Sequence, residues 1–247
     1  MRLAILAVAA LAIAGVAHAG AGTDTPARRP VVAVVDSGVA RTAELGARVV
    51  AEYDMAASPA RPAFRPAHDH GTMVATILAR AAVAPVDIVS LRIDDPAGCP
   101  AGANPPCARS PHTVAAAIRQ ATRLKVDAIN LSLALVDHPA ITAAVRDAAR
   151  HGITVVMAAG NDGADHPNNL APAKAAYPHA VLVGAVDAAG SVWTGTNRPE
   201  GSVNGYNYSW QLGVAVPTSL ADGREVTGTG TSFAAPIETA RRLSTTR

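Results

Sequence analysis

Val31-Val32-Ala33-Val34-Val35 constrains this chain more than any other stretch. An amphipathic helix spaces its apolar residues three or four apart, and a half-buried strand spaces them two apart. A run that is apolar at every position needs cover on both faces, as a central strand of a parallel sheet has. It ends in Asp36-Ser37-Gly38, which puts a carboxylate at the C-terminal end of the strand. In an open α/β sheet that edge is where ligands bind. Asp-x-Gly also punctuates ordinary turns, so the triplet alone does not choose between site and turn.

Downstream the pattern alternates. The helical spacing of Met73, Val74, Ile77 and Leu78 predicts a helix that begins near His70. Strands are expected over 86–91, 127–133, 153–157 and 180–186. Helices are expected over 112–124 and 139–151, the latter closed by Gly152. Residues 39–66 hold several prolines and read as irregular. Strand–helix alternation of this kind argues an α/β fold: a doubly wound, mostly parallel sheet with helices on both faces.

The N-terminus reads as an export signal. Arg2 is a short positive region, 3–16 is an apolar run, and Ala17-His18-Ala19 is a cleavage signature. The expected organisation is a signal over 1–19, a short lead over 20–30 and one domain over 31–247. Cleavage near Ala19 would deliver the product to the periplasm or the exterior. No later segment is apolar for long enough to span a membrane. Lys and Arg number 21 against 19 Asp and Glu, too balanced to suggest nucleic acid or an anionic surface. Aromatic residues are only 3% of the chain, so the core must rest on Ala, Val, Leu and Ile. Cys99 and Cys107 fit a small disulfide loop in an exported chain, and two cysteines at this spacing match no four-ligand zinc pattern.

A second landmark is Gly228-Thr229-Gly230-Thr231-Ser232-Phe233-Ala234-Ala235-Pro236. A glycine turn feeds a small-residue helix, with Ser232 at its start and Pro236 expected near the first turn, where a missing N–H costs little. The first N–H groups of a helix lack intrahelical partners, so an oxyanion forming beside Ser232 would meet a donor. Ser232 could equally be an N-cap after a glycine loop. A nucleophilic serine needs a base and an orienter. His70 sits at a loop-to-helix boundary facing the same sheet edge as Asp36. Two other uses compete there: Asp69 could cap the helix, and His68-x-His70 could hold a metal. Asn161 follows a strand inside Gly160-Asn161-Asp162-Gly163, as a turn former or as an amide donor at the active edge.

The order Asp36, His70, Asn161, Ser232 resembles that of the subtilisin-like serine peptidases, whose triad runs Asp, His, Ser. The local motifs are similar too. They are Val34-Val35-Asp36-Ser37-Gly38, His70-Gly71-Thr72-Met73-Val74-Ala75, Ala158-Ala159-Gly160-Asn161 and Gly230-Thr231-Ser232-Phe233-Ala234-Ala235-Pro236. The resemblance spans about 31–240 and implies a serine endopeptidase acting on polypeptide. Asp36, His70 and Ser232 would be the triad, and Asn161 would complete an oxyanion hole. Loss of such an amide costs about 10²–10³ in rate, a figure measured on subtilisin itself. Ser132-Leu133-Ala134, with Gly160, would hold the substrate backbone. An α/β-hydrolase needs a histidine after its serine, whereas the last histidine here is His179.

Several positions depart from the family pattern. Met73 stands where a second histidine is usual, and Ala134 where a glycine is usual. Ala215-Val216-Pro217-Thr218 stands in for the usual Ala-Pro-Gly. Glu238, Arg241 and Arg242 put charges on a helix that should be apolar, so that helix is expected to be half exposed, and a partner could cover the short C-terminal part. No acidic residue stands at Ala40 or Arg41, so no calcium ligand set is recognisable and no cofactor is expected. The lead is too short for a folding propeptide. The alternative function is a protein of this fold with little or no proteolysis, serving as a binding domain.

Overall fold

The computed structural model describes residues 28–56, 60–100, 106–108, 110–201 and 203–244. The expected signal, most of the lead and the middle of the cysteine loop lie outside them. The structure is built on β1 (Val31–Asp36), buried along all but its first residue. Ala33 and Val35 enter one core while Val32 and Val34 enter the other, so the strand is covered on both faces.

In chain order, β2 (Val49–Asp54), α1 (His70–Ala81), β3 (Asp87–Arg92), α2 (Pro111–Arg123) and β4 (Ala128–Leu131) follow. Next come α3 (Pro139–Arg150), β5 (Thr154–Ala158), α4 (Leu170–Ala175), β6 (Ala180–Val186) and β7 (Asn207–Leu212). A hairpin of β8 (Val216–Ser219) and β9 (Glu225–Gly228) leads into α5 (Thr231–Ser244). The seven-stranded sheet has the order β2-β3-β1-β4-β5-β6-β7, and every pairing in it is parallel. Residues of α2, α3 and α4 share one core, and α1 and α5 cover the opposite face. This is the doubly wound α/β sheet that the alternation implies. Proline opens both α2 and α3, where its fixed φ suits the first helical position. Among the described residues no helix is long and apolar enough to cross a membrane.

Four local readings differ from expectation, each for a physical reason. The stretch read as irregular contains β2, an edge strand whose half-exposed charged residues hide its pattern. The strand expected over 127–133 ends at Leu131, so Ser132, Leu133 and Ala134 continue past the sheet outside the strand ladder. Pro236 lies in the second turn of α5, not the first. Having no N–H, it leaves the Ser232 carbonyl without its i+4 donor. The Ser132 hydroxyl supplies the bond instead, at 2.7 Å. Finally, Glu238 is wholly buried rather than exposed. Its carboxylate accepts from Ser209 and Gln211 of β7 and from Arg241 and Arg242 one helical turn on. Only the outer end of α5, with Arg241 and Arg242, reaches solvent.

Candidate active site

The C-terminal ends of β1, β4 and β5 and the N-terminal ends of α1 and α5 converge on an open cleft of about 670 Å³. His70, Ser132, Leu133, Ala134, Gly160, Asn161 and Ser232 all line it. Asp36 lies behind His70 and is fully buried. The structure therefore brings every expected catalytic and substrate-edge residue to one place.

Glycine at position 71 permits the approach of α1 to β1, because a Cβ there would collide with the Gly38 carbonyl. The Gly71 N–H donates to the Ser37 hydroxyl at 3.0 Å, and that hydroxyl donates to the His68 carbonyl at 3.1 Å. Ala40 N–H donates to Thr72 Oγ1 at 3.0 Å. The two motifs are thus laced together. Asp69 makes no side-chain cap; its carboxylate accepts the Ala221 N–H at 2.8 Å and ties α1 to the β8–β9 turn. Among the described residues, no three His, Cys, Asp or Glu side chains gather as metal ligands.

His70 Nδ1 stands 2.9 Å from both Asp36 carboxylate oxygens. Those oxygens accept, so Nδ1 carries the proton and Nε2 presents its lone pair to the cleft. Burial opposes charge on the imidazole. The Asp36 charge and hydrogen bond together outweigh it, and the His70 pKa lies above the ordinary 6.5. Ser232 occupies the second position of α5, where its N–H has no intrahelical acceptor. Its hydroxyl donates to the Ser132 carbonyl at 3.1 Å. Ser132 and Ser232 therefore hold each other, hydroxyl to carbonyl, in both directions. Asn130 Nδ2 donates to the Ser132 hydroxyl at 3.0 Å, and Thr239 donates to Asn130 Oδ1 at 2.9 Å.

The orientation of the Asn161 amide follows from one neighbour. Thr231 donates to Asn161 Oδ1 from both its backbone N–H, at 2.9 Å, and its hydroxyl, at 2.8 Å. A backbone N–H only donates, so the oxygen must face Thr231 and the NH₂ must face away as a donor. Thr231 Oγ1 also accepts the Gly160 N–H at 3.2 Å. Gly160 has φ +110°, and a Cβ there would strike the Asn168 and Asn197 side chains. Asn197 Oδ1 holds the following turn through the Asp162 and Ala164 N–H groups.

Sequence reasoning missed the supporting set: Ser37, Thr231, Asn130 and Asn169. Ser37 and Thr231 are visible inside the motifs as hydroxyls next to functional residues. Asn130 carries one signal, a polar residue in an apolar strand. Beside the serine loop, the Gly213 carbonyl accepts the Gly230 N–H at 2.8 Å and the Ala215 N–H donates to Thr229 Oγ1 at 3.0 Å, while Val216 and Pro217 belong to the β8–β9 hairpin. The expected disulfide is present between Cys99 and Cys107, and it flanks a second cleft lined by Leu133, Ala134 and Val114.

One edge of a parallel α/β sheet thus carries a carboxylate–imidazole pair, a helix-start serine and a fixed amide donor. Residues 27–240 match the subtilase family, and the chain belongs to it. It is 37% identical over 122 residues to Subtilisin-like protease 2 of Arthroderma otae (strain ATCC MYA-4605 / CBS 113480), covering 48% of this chain and 27% of that protein. Over a segment of the same length it is 36% identical to Subtilisin-like protease 2 of Trichophyton rubrum. The chain thus matches about a quarter of the length of these relatives. Among solved structures it resembles a cold adapted subtilisin-like serine proteinase, with TM-score 0.70 and 23% identity over 87% of this chain and 76% of that one. It also resembles the prenylagaramide maturation protease PagA, with TM-score 0.64 and 21% identity over 85% of this chain and 72% of that one. At these identities the likeness is one of fold.

Proposed function

We propose that this protein is an exported serine endopeptidase. The observation that carries the reading is the meeting of His70, Ser232 and Asn161 in one cleft, with the Asp36 carboxylate bonded to the back of the imidazole. The Ser232 hydroxyl turns from the Ser132 carbonyl toward His70 Nε2 and attacks the scissile carbonyl carbon. Nε2 takes the hydroxyl proton and then gives it to the leaving amine. Asp36 holds the tautomer and stabilises the imidazolium. Asn161 Nδ2 and the Ser232 N–H donate to the oxyanion. Water then repeats the cycle on the acyl-enzyme. Ser132, Leu133 and Ala134 run beyond the last β4–β5 pair, outside any strand ladder, and an extended peptide can add along them as a strand. Export rests on the residue pattern of 1–19 and is consistent with the Cys99–Cys107 disulfide.

The test is labelling by a serine-directed fluorophosphonate, which reports only an activated nucleophile. Wild type should label, while Ser232→Ala and His70→Ala should not. A folded wild type that stays unlabelled would replace this reading with that of a binding domain on the same fold.

A further inference from the structure

One buried side chain spans the two walls of the cleft. Pairing between β4 and β5 stops at Leu131 and Met157. Past that point the chain segments separate, one as Ser132-Leu133-Ala134 and the other toward Gly160 and Asn161. Asn169 sits beneath the opening, 6% exposed. Its Nδ2 donates to the Leu133 carbonyl at 2.7 Å and to the Ala158 carbonyl at 2.8 Å. Its Oδ1 accepts the Leu135 N–H at 2.8 Å. Because that N–H can only donate, the amide has one orientation, with both its hydrogens bonded across the gap. The backbone at Asn169 is left-handed, φ 64° and ψ 17°, a conformation asparagine tolerates better than most residues. The adjacent Asn168 N–H donates to the Ala159 carbonyl at 2.7 Å, which straps the same loop to the same wall.

We propose that Asn169 is a positioning residue that sets the width of the substrate slot between Leu133 and Ala158. It touches neither the reacting atoms nor the triad. It fixes two carbonyls of opposite walls to one rigid amide, so the peptide edge and the oxyanion loop keep a constant separation. Both carbonyls are attached to segments that contact the substrate under the peptidase reading, on which this inference rests.

Asn169→Gly removes the tie and relaxes the left-handed backbone. Kinetics are normalised to fluorophosphonate-titrated sites, so partial folding does not enter. On extended peptide substrates, kcat/KM should fall about 10- to 100-fold, chiefly through KM, as expected for misplaced binding walls. Labelling by a small fluorophosphonate, which does not span the slot, should change less than about threefold. Discrimination between large and small residues preceding the cleaved bond should weaken. If Asn169→Gly yields no labelled protein, Asn169→Ser, which keeps one donor, is read in the same way. An unchanged kcat/KM overturns the proposal. So does a labelling rate that falls in step with peptide cleavage, which would mark a general structural role. A wild type that neither labels nor cleaves removes the peptidase reading itself, and this inference with it.

Discussion

Glu238 offers a quantitative test of the packing of α5. Its carboxylate is fully buried and takes hydrogen bonds from four side chains. Burial pushes its pKa up. Bonds from Arg241, Arg242 and Gln211, with the charge of Arg241, outweigh that and hold it at about 2, against an ordinary 4.5. A folded pKa below the unfolded one stabilises the protein above pH 4.5, and the contribution is lost as pH falls toward 2. At about 1.4 kcal/mol per pH unit, the span corresponds to about 3.5 kcal/mol. Half-exposed Arg241 is screened by solvent, which brings the working figure to about 2–3 kcal/mol. Glu238→Gln keeps the shape and removes the charge. It also sets an amide NH₂ among donors that had all faced oxygen. In a Ser232→Ala background, to prevent self-digestion, urea unfolding at pH 7 should show the variant about 2–3 kcal/mol less stable with an unchanged m value. The gap should narrow as pH drops from about 4.5 to 2. Other carboxylates also lose partners in acid, so the difference between the two proteins is the informative quantity. Equal stability at pH 7, or a gap that does not narrow between about pH 4.5 and 2, would refute the account of Glu238 as a paired buried charge.

Two further outcomes follow from the site. The acid limb of kcat/KM should have its midpoint above 6.5, because His70 must lose its Nε2 proton to act as base and the Asp36 charge, bonded at Nδ1, stabilises the imidazolium; a midpoint at or below 6.5 would contradict the Asp36–His70 geometry. Thr231→Val removes the hydroxyl bonds to Asn161 and Gly160 but keeps the backbone one, so kcat should fall about tenfold, well short of the loss on deleting an oxyanion donor outright. Stopped-flow acylation kinetics would read it directly.

What was legible in the sequence, and what was not, divides along one physical line. β1, the start of α1 and the order of the four motifs are written in local patterns. A doubly covered strand needs apolar residues at every position, and a loop that must pass close to another needs glycine, as at Gly71 and Gly160. The edge strands β2 and β7 escaped because an edge has a wet side. Glu52, Asn207 and Gln211 read as loop when no partner is in view. Glu238 escaped for a related reason. Its burial is permitted by Ser209 and Gln211, about thirty residues earlier in the chain, and a charge is read as exposed until its partners are known. Propensity alone puts Pro236 near the first turn. Its actual place is explained by Ser132, a hydroxyl about a hundred residues away that satisfies the carbonyl the proline leaves free.

The position of α5 in the chain has a consequence for how such a protein is made. Asp36 and Ser232 lie near opposite ends of the described sequence, and α5 packs on β4, β5, β6 and β7 as well as on α1. During synthesis the aspartate, the histidine and both cleft walls emerge before the nucleophile does. On the peptidase reading, a ribosome-bound chain short of α5 is therefore chemically silent, however much of its sheet has assembled. On that reading the last helix carries the nucleophile and part of the sheet's cover together, so activity cannot precede the emergence of α5.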